Sequence, residues 1–200
     1  MSAVTGAHRG NVFYRYYQIY SGLMKKHPYK ASAINTSVLM GAGDVLAQTI
    51  GERKTLKDYD YARTVRFFGV GLLVAGPTMN LWYSSLDKVV RGTATTAALK
   101  KVFWDQSLFL PVYLAGFIGV MSVLRAEETH ELKGKFKRDF GPLLLSSYEL
   151  WPAVQIVNFY MVPLHQRILV INFVSLFWNS YISWKSEIPQ EEEGEKLVEL

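Results

Sequence analysis

Apolar residues in this chain come in long, nearly uncharged runs rather than on one face of short amphipathic segments. Residues 31–50 hold one charge, Asp44; residues 67–86 and 106–124 hold none; residues 143–162 carry only Glu149; residues 168–184 are again uncharged. A helix crossing the roughly 30 Å hydrocarbon layer needs about 20 mostly apolar residues, so these runs predict membrane spans. There are four, or five if the last two runs, joined through Pro163, His165 and Arg167, each cross. A soluble bundle would instead show charges every turn on an outer face. The expected fold is an all-α polytopic transmembrane helical bundle over residues 31–185. Before it lies a basic segment, 1–30, which reads as a targeting sequence, an interfacial helix or both. After it comes an acidic tail, 186–200, expected to be disordered.

Projected at 100° per residue, every span carries a polar stripe. In the first, Ala33, Ser37, Gly41, Asp44 and Gln48 share a face, opposite Leu39, Leu46 and Ile50. Gly69, Gly76, Asn80, Tyr83 and Asp87 align in the second, where Pro77 should kink the helix. Asp105, Val112, Gly116 and Gly119 align in the third, interrupted by Pro111, with Gln106 beside Asp105. The fourth groups Ser147, Tyr148, Trp151, Gln155 and Asn158 around Pro152, and the fifth lines up His165, Asn172, Ser175, Asn179 and Ser183. Two readings compete. Small residues such as Gly41, Gly43, Gly76, Gly116 and Gly119 let helices approach, and amides bond across them, in any packed membrane bundle. Alternatively the stripes converge on a water-filled path for a solute. A continuous cavity with Asp44 on its wall would favour the path; a packed interior with Asp44 paired would favour packing.

Three acids sharpen the choice, because each costs about 2.5–3.5 kcal/mol at mid-membrane and so asks for a partner or a function. Asp87 lies next to Lys88 and Asp105 one turn from Lys101, so local ion pairs are the simpler account of both. Asp44 has no basic residue within a helical turn and is the strongest candidate for a functional intramembrane charge.

Composition enters only once these runs are seen. The 200 residues are 50% hydrophobic and 20% charged, an average that would pass for a soluble domain but here mixes apolar spans with the charged stretches 52–66, 87–101 and 125–139, expected as loops. The net charge is +5, yet basic residues fall on both sides: 11 against 10 for four spans, 10 against 12 for five. The positive-inside rule therefore sets no orientation. Those residues alternate with acids in loops and form no single stripe, so direct nucleic-acid binding is not expected and lipid headgroups are the simpler partner. With no cysteine and four histidines lacking ligand spacing, no metal, cofactor or thiol chemistry is expected. No phosphate loop or nucleophile elbow suggests an enzyme.

The stretches GAGDVLAQ (41–48), GPTMNLWYSSLD (76–87), KVFWDQSLFLP (101–111), WPAVQIVNFYMVPLHQR (151–167) and WNSYISWK (178–185) resemble, in order, the successive motifs of the Mpv-seventeen family. That family includes the twenty-two-kilodalton peroxisomal membrane protein and a yeast stress-induced mitochondrial homologue. The resemblance runs from about Tyr17 to Lys185 and is closest to the mitochondrial inner-membrane branch, with a peroxisomal membrane as the alternative location. It implies a channel-like protein, usually described with four spans, that passes small solutes or ions. It also implies links to membrane potential, oxidative stress and mitochondrial DNA maintenance; assembly into a homo-oligomer is a further expectation. The motif positions here are Gly43, Asp44 and Gln48; Gly76, Pro77, Trp82, Tyr83 and Asp87; Asp105, Gln106 and Pro111; and Trp151, Pro152, Gln155, Asn158, Pro163, Trp178, Asn179, Tyr181 and Ser183. Several members carry His where this chain has Asn80, so pH gating through that imidazole does not transfer, nor does disulfide gating to a chain without thiols. A non-conducting structural protein and an alternating-access carrier remain the competing classes; only Pro77, Pro111 and Pro152 hint at the carrier.

Overall fold

The computed structural model describes residues 15–16, 18–20, 22, 26–92, 94–161 and 167–187. Most of the basic segment 1–30 and nearly all of the tail 186–200 lie outside them, as do Pro163 and His165. The described residues are largely helical and include no strand. They form α1 (Pro28–Leu46), α2 (Tyr61–Val70), α3 (Gly76–Val89), α4 (Ala94–Trp104), α5 (Leu110–Leu124), α6 (Thr129–Tyr160) and α7 (Arg167–Glu187).

Three wide π turns join or extend these helices. Ala47–Gly51 extends α1, Gly71–Ala75 fuses α2 to α3, and Asp105–Phe109 fuses α4 to α5. The last two have a local cause. Pro77 and Pro111 each follow a π turn by two residues, and a proline both lacks an N–H and presses its ring on the carbonyl one turn earlier. Widening the preceding turn relieves that clash. The result is five rods: 28–51, 61–89, 94–124, 129–160 and 167–187.

Local chemistry sets the rod ends. Asp60 caps α2, its Oδ1 accepting from the Arg63 N–H at 2.8 Å. At the start of α6 the Glu131 carboxylate reaches back to accept from the Glu128 N–H at 2.8 Å, as in a capping box. The charged stretch 125–139, expected as a loop, is therefore mostly helix, and the expected span 143–162 is the second half of a 32-residue rod.

All five rods contribute to one apolar cluster. Met40 comes from the first, Phe67 and Val70 from the second, Leu114, Phe117 and Met121 from the third, Leu143 from the fourth and Ile182 from the fifth. Around this small core the usual soluble distribution is inverted. Ser37, Asp44, Gln48, Arg63, Ser147 and Ser183 are buried, while Ile34, Val38, Val65, Leu73, Leu81, Leu145, Phe173 and Phe177 are exposed. An exposed apolar belt of this extent suits lipid rather than water. Among the described residues one helix is long and apolar enough to cross a membrane, Thr96–Leu124. The expected count of four or five is not reached by that measure. The inward polar stripes of the other rods lower their average apolarity.

Close approach at glycine fixes how α1 meets its neighbours. A Cβ on Gly43 would stand 2.6 Å from the Asn179 Cβ, on Gly71 2.5 Å from the Ser37 Cα, and on Gly76 2.4 Å from the Ala33 Cα. Gly41 faces the Phe68 ring more loosely, at 3.4 Å. The packing role expected of Gly116 and Gly119 does not hold, because open space lies where their Cβ atoms would be.

Candidate functional site

The polar stripes separate into two places. The first is a closed knot where α1, α2 and α7 meet. Asp44 Oδ1 lies 2.7 Å from Arg63 Nε and accepts from the Ser183 hydroxyl at 2.6 Å. Its Oδ2 accepts from Gln48 Nε2 at 2.9 Å and from the Thr64 hydroxyl. Arg63 also donates to Ser183 Oγ at 2.8 Å and to Glu52 Oε2 at 3.0 Å. Gln48 exchanges bonds with the Asp60 backbone, donating to its carbonyl at 3.0 Å and accepting from its N–H at 2.8 Å. Asp44 and Gln48 are 0% exposed and Arg63 is 1% exposed.

Asp44 and Gln48 are therefore enclosed by partners, not on the wall of a path as the pore expectation required. Arg63 is the partner that charge density hides, because it places the residue in a charged loop. One signal in the sequence points the other way: Arg63, Phe67 and Val70 recur at helical spacing, so a helix capped at Asp60 turns Arg63 inward with the core.

The amide ladder of α7 also packs. Asn179 backs onto Gly43, Ser180 donates to the Gly43 carbonyl at 2.9 Å, and Asn35 donates to Asn172 Oδ1 at 3.4 Å. Asn80 accepts from Ser84 at 3.4 Å within its own helix. The side chains of Asp87 and Asn158 lie outside the described ones. Pro152 sits inside α6, which continues through it and through Pro142.

The second place is an open cavity of about 330 Å³ where the third rod meets α3 and α6. Its wall brings together Asp105, Gln106 and Gln155 of the expected set with Tyr83 of the second stripe, and adds Lys101. Trp82 fixes Asp105, donating from Nε1 to Oδ1 at 3.1 Å, while Gln106 donates to Oδ2 at 3.0 Å. Phe109 stacks on Trp82 with ring centres 5.0 Å apart, and Tyr148 donates to the Gln106 carbonyl at 3.1 Å. The π turn starts at Asp105, so the carboxylate sits at the wide part of the rod. A second opening of about 340 Å³, lined by Val45, Leu56, Tyr61 and Val65 among others, is almost wholly apolar.

Sequence comparison supplies the family. The profile of the Mpv17 / PMP22 family matches residues 122–183. The chain is 40% identical over 170 residues to the mitochondrial inner membrane protein Mpv17 of Xenopus laevis, covering 85% of this chain and 96% of that one. It belongs to the Mpv17 / PMP22 family. The Danio rerio protein of the same name is 42% identical over 167 residues, covering 84% of this chain and 94% of that one. Protein sym-1 of Neurospora crassa is 38% identical over 167 residues, at 82% and 95% coverage. No solved structure matches. The location of this family member is the mitochondrial inner membrane, as the names of its relatives state.

Proposed function

We propose that this Mpv17 / PMP22 family member passes small polar solutes across the mitochondrial inner membrane through the opening beside Asp105. The observation carrying this reading is the 330 Å³ cavity, whose charged, amide and phenol groups come from three rods towards one end of the Thr96–Leu124 helix. With Leu124 at one interface, Asp105 lies roughly 28 Å along the rod, at the opposite margin of the hydrocarbon layer. A polar mouth at that depth replaces hydration for an incoming solute. Membrane potential, oxidative stress tolerance and mitochondrial DNA maintenance would follow from the solute balance, as the family resemblance implies.

The test is solute efflux from proteoliposomes holding the full chain. Efflux above that of protein-free vesicles, reduced by Gln155→Leu, supports the reading; no efflux from folded protein removes it. The sealed Asp44–Arg63 knot favours a second reading, a non-conducting membrane protein, which predicts that result.

A further inference from the structure

The apolar opening between the end of the first rod and the start of α2 is dry although two threonines and two tyrosines line it. Three of their four hydroxyls are committed to hydrogen bonds with the protein. Thr49 donates to the Val45 carbonyl at 2.7 Å, Thr64 donates to Asp44, and the Tyr59 hydroxyl meets Thr64 Oγ1 at 2.6 Å. What remains for an occupant is methyl, aliphatic and ring surface. Leu56 and Tyr59 belong to the connection 52–60, so the groove runs from the exposed apolar belt to the end of the rods. Leu56 is 84% exposed between charged neighbours, which suits contact with lipid. Of the acids in that connection, Glu52 pairs with Arg63 and Lys54, Asp60 pairs with Arg66, and Asp58 accepts from Thr55 at 2.7 Å. Arg53 and Lys57 are exposed and have no ion pair among the described residues. Arg53 also holds φ at +53° just past the end of the first rod, where glycine is the favoured residue.

We propose that this groove seats one acyl chain of an anionic glycerophospholipid, with the lipid phosphate against Arg53 and Lys57. The site is separate from the Asp105 cavity and does not depend on the permeation reading. Hydrocarbon fits the dry wall because it leaves no polar group of its own unpaired there. The phosphate takes charge-assisted hydrogen bonds from the guanidinium and the ammonium, neither of which is engaged by an acid. A zwitterionic lipid offers the same chain but brings its own ammonium towards those two cations. Free phosphate offers the charge without the chain, and exposed cations alone hold it weakly. An occupant also covers Val45, next to Asp44 in the chain, and Thr64, bonded to it, so binding should stabilise the Asp44–Arg63 knot.

Native mass spectrometry of the full chain in non-ionic detergent tests this. Dioleoyl phosphatidylglycerol and dioleoyl phosphatidylcholine are added at equal concentration, with inorganic phosphate as a third probe. The parent should retain one phosphatidylglycerol in preference to phosphatidylcholine, and no phosphate. Each cation beside a lipid phosphate is worth about fivefold, so Arg53→Gly, which suits the backbone there, and Lys57→Gln should each cut the preference about fivefold. Val65→Trp, at a position 69% exposed, should fill the groove and displace the lipid from folded protein. Lys133→Gln, exposed on α6, should change nothing. Equal retention of the two lipids by the parent, phosphate held as firmly as the lipid, or an unchanged preference in the Arg53→Gly/Lys57→Gln double variant overturns the proposal. So does lipid retention by Val65→Trp with an unaltered unfolding midpoint; if that variant unfolds, the two charge variants decide alone.

Discussion

Removing the Asp44 charge tests the knot most directly. The ion pair is 2.7 Å long, with side-chain exposures of 2% for Arg63 and 0% for Asp44. At an effective dielectric of about 20 the attraction is roughly 6 kcal/mol, much of it offset by desolvation. Asp44→Asn keeps the shape but leaves one acceptor oxygen and adds two donors among groups that already donate: Arg63, Thr64, Ser183 and Gln48. Arg63 keeps Glu52, 2.7 Å from its Nη1, but loses the fully buried carboxylate at Nε, which should cost about 3 kcal/mol. Arg63→Met should cost a similar amount, and the double variant should lose less than the sum by about 2 kcal/mol. Unfolding in detergent micelles, followed by tryptophan fluorescence, measures all three. A single variant within about 1 kcal/mol of the parent, or strict additivity, would refute the argument that the pair is a closed structural lock.

Further outcomes follow from the same geometry. Gly71→Ala and Gly76→Ala should lower the unfolding midpoint, because backbone atoms of Ser37 and Ala33 block the new methyl, whereas Gly116→Ala meets open space and should stabilise by up to about 1 kcal/mol. In the turn between α5 and α6, burial pushes the Glu127 carboxyl up, but the hydrogen bond from Lys135 and the Arg125 charge help to outweigh it and hold it below the usual range. A depressed folded value means stability present above the unfolded value of about 4.3 and lost as pH falls through the folded one. Amide protection around residues 125–128, corrected for the intrinsic exchange rate at each pH, should therefore fall in acid, and Glu127→Gln should remove that dependence.

Much of this arrangement is legible in the sequence. The inward face of α1 is the projected stripe, because the segment up to Leu46 is regular α-helix and a 100° step holds across it. Projection fails where the π turns intervene: each adds a residue to one turn and rotates everything beyond it. A fixed step puts Asp105 and Gly116 on one face, yet such a turn separates them. The Arg63 partner is hidden for another reason. Charge density marks 52–66 as a loop, while the one buried guanidinium inside it depends on contacts from distant α7, through Ser183.

The Asp44–Arg63 pair also bears on how the chain enters its membrane. The two residues lie on successive rods joined by the short connection 52–60. Inserted singly, each rod would carry an uncompensated charge costing about 2.5–3.5 kcal/mol into lipid. Inserted together, the charges neutralise each other before either meets hydrocarbon. The first two rods are therefore expected to enter lipid as a pair, and severing the chain between them should make the entry of each costlier as well as remove a contact.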